Sequence, residues 1–343
     1  AYRALEELQK AGAVVERLPV ESGPPTPRSA QALAERLAAF HPDWIVALGG
    51  GRTIDLAKAA WIRWVRPDAV LESLTPLTEL GLRTSARFVA IPTTSGSGSD
   101  VGWTAFLQGD DGRPIELASR ELVPDWSLLD PALPESQTPE GTANGAAEAL
   151  AHAVEAAMSE WANPISDAFS RAAVEGILRD LPRTVKDPGD REARSSLHVA
   201  ASMAGLAASN AQLGAAHALA LALASATGVP YGRLVGTLLP YVLEFNYPSA
   251  RERLGRFASV LGGSAGSDRS AAAERTRTAL LAAGIPRDLA GAGVPANVLS
   301  DRRAEIVAWA RGSSASASNP RVPSEEEYHR LLESAYRGTA VTY

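Results

Sequence analysis

Apolar residues recur along the first third of the chain with two alternating periods. "YRALEELQKAG" (2–12), "SAQALAERLAAF" (29–40) and "TIDLAKAAWIRW" (53–64) repeat every three to four residues, the spacing of helices with a buried face. Between them, "AVVERLPV" (13–20), "DWIVALGGG" (43–51) and "ARFVAIPTTSGSGS" (86–99) are short apolar runs that predict strands, the last two running into glycine. Strands alternating with helices predict an α/β fold with a Rossmann-like parallel sheet. The texture changes around "DPALPESQTPE" (130–140). From about residue 138 onward the pattern is helical and alanine-rich, broken at "NP", "GVPYG" and "LGG". The expected domains are therefore a dinucleotide-binding α/β domain over 1–135 and an all-helical metal and substrate domain over 136–343. A nucleotide-binding sheet usually opens on a strand, whereas this chain opens on a helix, so its first strand is expected to be absent. There is no internal repeat, and "GSSASASNP" (312–320) is expected to be a loop.

Composition narrows the function classes. With 33 Lys and Arg against 39 Asp and Glu, the net charge is −6 and no basic run tracks a phosphate backbone, which argues against nucleic acid. The absence of cysteine excludes disulfides, thiolate catalysis and thiolate-bound metals, so any metal falls to His, Asp, Glu or Tyr. The longest apolar stretch, "AAHALALALASATGVP", is shorter than a membrane span, and the opening residues lack a signal pattern. A soluble, cytoplasmic protein is expected, with no membrane partner.

Two loops carry candidate binding chemistry. Gly49, Gly50 and Gly51 follow an apolar strand and open a helix, where backbone N–H groups and the helix dipole favour an anion; a tight strand-to-helix turn is the plainer reading. The second loop, with Thr93, Thr94, Ser97 and Ser99, also follows a strand. Both fall where ligands sit in open α/β sheets, and together they predict a dinucleotide site, which the family resemblance given below extends to Thr53 and Asp55 and makes one for NAD(H) or NADP(H). In the helical half, "AAEALAHAVEA" (146–156) places Glu148 four residues before His152 on one helical face. His217 lies in a similar small-residue helix. Each histidine alone reads as a satisfied core residue; with Glu148 the pair could hold a divalent metal. His41, His198 and His329 read as structural or solvated.

Taken together, these residues resemble the iron-containing (group III) alcohol dehydrogenase family, which includes maleylacetate reductase-like and phosphonoacetaldehyde reductase-like members. "GGGRTIDLAK" is similar to the family's first cofactor loop and "IPTTSGSGSDV" to its second. "ANPISDAFSRAAVEGI", "AGLAASNAQLGAAHA", "LLPYVLEFN" and "SNPR" match further blocks in order. The resemblance implies an NAD(P)-dependent oxidoreductase that interconverts a small alcohol and its aldehyde or ketone, working as a homodimer. It places iron or zinc on Glu148, His152, His217 and Tyr231, where the family has one Asp and three His. It also gives His217 and Tyr231 catalytic roles, puts Leu221 where relatives carry a proton-transferring histidine, and makes Arg113 a stand-in for a cofactor lysine. Metal-free reduction and a nucleotide-binding pseudoenzyme are the alternatives.

Overall fold

The computed structural model describes residues 2–20, 23–257, 260 and 269–343. Helices α1 (Tyr2–Lys10) and α2 (Pro27–Phe40) come first. Thr26 caps α2 through a reciprocal bond pair with Ser29, and Pro27 presets its first turn. Strand β1 (Trp44–Gly49) then runs directly into α3 (Gly51–Val65), and β2 (Arg87–Pro92) follows. These two strands pair in parallel from Trp44 opposite Arg87 to Gly49 opposite Pro92. This register brings both candidate loops off the sheet at the same end, side by side.

A two-stranded antiparallel hairpin, β3 (Thr104–Gln108) and β4 (Pro114–Ala118), comes next, and β5 (Trp126–Ser127) joins the far side of β2 to complete a three-stranded parallel sheet. Lys58 of α3 is fully buried and anchors the hairpin by donating to Gly102 O and Thr104 O at 2.7 and 3.2 Å. The strand expected over 13–20 does not form. That segment is irregular and Val14 is 85% exposed, because an extended run is held as a strand only by a neighbouring ladder, and none pairs with it among the described residues.

From Pro139 the described chain is helical: α4 (Pro139–Met158), α5 (Pro164–Lys186), α6 (Arg191–Ala211), α7 (Ala215–Thr227), α8 (Tyr231–Phe257), α9 (Arg269–Ala282), α10 (Ala296–Asp301), α11 (Arg303–Gly312), α12 (Ser314–Ala317) and α13 (Glu325–Arg337). The stretch expected as a loop near 312–320 carries the short helix α12, and the break expected at "LGG" (261–263) lies outside the described residues. One apolar core gathers residues between Ala143 and Val341, and a smaller one gathers Ala30 to Leu122. Alanine dominates the facing surfaces of α4, α6 and α7, which lets their backbones approach closely. Helices α6 and α7 meet at a 108° bend, where Gln212 takes a left-handed φ of 66°. Among the described residues no single helix is long and apolar enough to cross a membrane.

Candidate active site

One cavity of about 550 Å³ runs from the glycine loops to the buried histidines, a size usual for small-molecule and cofactor sites. Its first end is built from α3 and the loop after β2. The N-cap of α3, Gly50, offers no side-chain cap to the first N–H groups of the helix, and Gly51 and Arg52 line the cavity. The two loops interlock so tightly that a Cβ on Gly51 would lie 2.5 Å from Ser97 Oγ. The second loop is pinned in turn against the helical half: Gly98 has φ +63°, and its Cβ would meet Gly205 Cα of α6 at 2.5 Å.

Of the residues expected to bind the cofactor, Gly51, Asp55, Thr94, Ser97 and Ser99 line the cavity, whereas Gly49, Gly50, Thr53 and Thr93 do not. These four support the turn from behind. The Thr53 side chain fills the space over Gly49, Gly50 abuts Thr94, and Thr93 N–H donates to Gly49 O at 3.0 Å. Asp55 is engaged with the fold as well, accepting the Phe106 N–H at 3.2 Å; burial pushes its carboxyl up to about 6 against the pull of Lys58. Arg52, which motif reading passed over, is the only Lys or Arg lining the cavity among the described residues. Arg113 is displaced from the expected role: it sits at the β3–β4 turn beside Asp111 and does not line the cavity.

The second end belongs to α4, α7 and the start of α8. Glu148, His152, His217, Leu221 and Tyr231 all line it. The His152 and His217 rings stack with centroids 4.5 Å apart, and the Tyr231 ring lies 5.9 Å from that of His217. His152 Nδ1 and His217 Nε2 are buried without a hydrogen-bond partner. Burial, then the neighbouring His217, holds His152 well below the usual imidazole range, so it is neutral. Burial pushes the Glu148 carboxyl up to about 8, with Asp55 adding to the rise and Arg52 opposing it. Tyr231 is raised well above the usual phenol range by burial and by the carboxyls of Glu148, Glu155, Glu116 and Asp55. Burial, with carboxyls nearby, keeps the phenol protonated and a hydrogen-bond donor.

The expected metal set, Glu148, His152, His217 and Tyr231, lies along this one end of the cavity. Among the described residues no three His, Asp or Glu side chains converge as a group able to hold an ion. The two unpartnered imidazole nitrogens supply two donors, one short of the three protein ligands usual in a catalytic site. The charges that Glu148 senses are Asp55 and Arg52. His198 is structural as expected, its Nδ1 lying 3.0 Å from Ser95 Oγ.

Sequence reasoning also missed Glu155, although it stands in the same stretch as His152. It is 1% exposed and lies 2.5 Å from His217 Nδ1. The burial of a carboxyl beside two histidine helices was the available signal.

Residues 1–131 match the family described as iron-containing alcohol dehydrogenase, and residues 142–336 match the Fe-containing alcohol dehydrogenase family, C-terminal. The chain belongs to the iron-containing alcohol dehydrogenase family. It is 32% identical over 348 residues to the NADPH-dependent butanol dehydrogenase of Clostridium saccharobutylicum, covering 99% of this chain and 89% of that protein. The iron-containing alcohol dehydrogenase of Thermococcus thioreducens superposes with a TM-score of 0.88 at 31% identity, over 98% of this chain and 89% of that one. A sulfoacetaldehyde reductase from Bifidobacterium kashiwanohense, solved in complex with NAD+, gives 0.84 at 25% identity, over 97% and 87%. As a member of this iron-containing alcohol dehydrogenase family, the chain is an oxidoreductase that interconverts alcohols with aldehydes or ketones. The α/β sheet followed by helices is the architecture of the family's solved members.

Proposed function

We propose that the cavity binds NAD(P)H with its diphosphate at the Gly51 and Ser97 end, and that a small aldehyde or ketone is reduced at the His217 and Tyr231 end. The observation that carries this reading is the continuity of the two ends in one cavity. The uncapped start of α3 suits a diphosphate, and Arg52 beside it adds a guanidinium.

When bound there, the nicotinamide supplies the hydride. The chain's own residues do the rest. The Tyr231 O–H, kept protonated by burial and then by its acidic neighbours, donates to the carbonyl oxygen and gives up its proton as charge builds there. A phenolate buried there near Glu155 and Glu116 would be unstable, which favours rapid reprotonation. Glu148 carries a proton at neutral pH and lines the same wall, so it can return one. The stacked imidazoles and Leu221 form the wall beside the reacting centre.

Iron gives the family its name, and the unpartnered His152 Nδ1 and His217 Nε2, with Glu148 lining the same end of the cavity, are the side chains that would hold an ion polarising the carbonyl oxygen. As the assembly we propose a homodimer in the cytoplasm. Its support is an exposed apolar row across one face of the parallel sheet: Val46 is 46% and Trp126 60% exposed, with Val89 between them in register.

A screen of small aldehydes with NADH and NADPH, run on Tyr231→Phe beside the native chain, tests the chemistry. Retained turnover in the Phe variant would remove Tyr231 from the reaction.

A further inference from the structure

The β3–β4 hairpin turns one face toward the cavity. Thr104, Phe106 and Gln108 alternate along β3, and Glu116 of β4 stands directly opposite Phe106, so the four share one side of the ribbon. All four line the cavity. The helical half fastens this wall at two points. Gln108 Nε2 donates to Ser225 O of α7 at 3.2 Å. At the junction of α11 and α12, Ser313 Oγ donates to Glu116 Oε1 at 2.5 Å, while Ser314 N–H and Ser314 Oγ donate to Oε2 at 3.1 and 2.9 Å.

These bonds fix the Glu116 carboxylate without neutralising it. Its three donors are two hydroxyls and an amide, and Arg52, the only Lys or Arg lining the cavity among the described residues, belongs to the diphosphate end. A carboxylate offers about four lone-pair sites. Oε2 has both of its own filled, whereas Oε1 keeps one open. A half-buried charge in this condition is stabilised by a cation brought to it. Phe106 adds an aromatic ring on the same face, and such rings attract cations too. The charge of Glu116 is felt at the Tyr231 phenol, which puts this wall at the reacting end of the cavity.

We propose that Glu116 is a specificity-determining residue that receives the ammonium group of an amino alcohol or amino aldehyde, held on a short carbon arm whose oxygen lies at Tyr231. The ammonium donates to the open site on Oε1 and rests beside the Phe106 ring. The same charge rejects as well as selects. A carboxylate, phosphonate or sulfonate at the end of that arm would meet Glu116 as a like charge, with no cation on the wall among the described residues to hold it. The proposal rests on the reduction site placed above at Tyr231.

The test runs in the oxidising direction with NAD+ and NADP+, because amino alcohols are stable where amino aldehydes condense with themselves. Four primary alcohols of similar length end in ammonium, hydroxyl, methyl and carboxylate: aminopropanol, propanediol, butanol and hydroxypropanoate. With the amine protonated, the native chain is expected to give its highest kcat/KM on aminopropanol and its lowest on hydroxypropanoate. Glu116→Gln keeps the length and an oxygen for the serines while removing the charge. It should lower the ratio of kcat/KM for aminopropanol to that for butanol by about tenfold or more, as for loss of a charge-assisted hydrogen bond. The ratio for hydroxypropanoate to butanol should rise. Each ratio is taken on one preparation, so a poorly folded variant cannot imitate the result.

A native chain that prefers butanol, propanediol or hydroxypropanoate to aminopropanol overturns the proposal even if the variant does not fold. So does a preference for aminopropanol that Glu116→Gln leaves intact, since the amine would then be held by another group. A native chain that oxidises none of the four would refute the proposed function, and ligand-observed NMR with propylammonium, which has no reacting group, would still decide the part played by Glu116. Contact with the native chain that Glu116→Gln abolishes supports the proposal; equal contact in the two, or none in either, overturns it.

Discussion

At the Gly51 end of the cavity the wall is backbone and hydroxyl, and at the His217 end it is buried ionisable side chains. The first end recognises by proximity: glycines let amides come close, and a Cβ on Gly51 would collide with Ser97 at 2.5 Å. The second end recognises by protonation state: Glu148 is raised to about 8, Tyr231 is held well above the usual phenol range, and His152 is held neutral. Substitutions should accordingly act through shape at one end and through hydrogen placement at the other.

The largest effect is expected at the glycine end. Gly51→Val should drive its side chain into Ser97 and weaken NAD(P)H binding by roughly 10²-fold or more, since small displacements of a binding loop are amplified in this way. Nicotinamide fluorescence would measure it, with circular dichroism confirming that the helices persist. Tight binding by that variant would mean that the diphosphate lies elsewhere.

At the other end, Tyr231→Phe keeps the ring and removes only the oxygen. Turnover should fall by roughly 10²-fold, as for loss of a general acid, with the NAD(P)H dissociation constant unchanged. Loss of cofactor binding in this variant would erase the distinction between the two ends.

Arg52 belongs to the first end by position and yet acts by charge. Arg52→Ala should weaken NAD(P)H binding by about tenfold, as for one charge-assisted hydrogen bond. The native chain's binding should also weaken with added salt, and the variant's less so, because exposed charges are screened. An equal salt response in the two would remove Arg52 from the phosphate site.

The smallest effect concerns stability. Glu148 titrates near 4.5 when exposed and near 8 in the fold, so the folded state holds its proton more tightly. Its contribution is complete below about 4.5 and is lost as pH rises through about 8. Asp55, raised to about 6, acts in the same direction over a lower window. The melting temperature of the cofactor-free chain should fall between pH 5 and 8, and Glu148→Gln should flatten the upper part of that fall. A Gln variant with the native pH profile would show that the carboxyl is solvated.

The same contrast explains what could be read before the fold was known. The glycine end is local: a strand, a glycine turn and a helix lie within 43–64, and a periodic pattern carries that information directly. Even there the direction of each side chain was not legible, so Thr53 and Thr93 were expected in the cavity but brace the turn behind it. The β3–β4 hairpin carried a signal that was overlooked, the "DG" at 111–112 between short alternating runs. The other end is non-local. Glu155 meets His217 from 62 residues away, and neither the bend after α6 nor the cap on α7 leaves a periodic trace. "SNPR" was recognisable as a block, but its reason, Asn319 capping α7, required the fold.

The claim on which both ends depend is that a single dinucleotide spans the cavity, and the structure of the chain crystallised with NADP+ or NAD+ tests it most directly. The expected result has diphosphate oxygens on the Gly51 and Arg52 amides and Ser97, with the nicotinamide ring facing His217 and Tyr231. A dinucleotide bound with its nicotinamide at the far end from Tyr231, or outside the cavity altogether, would contradict it.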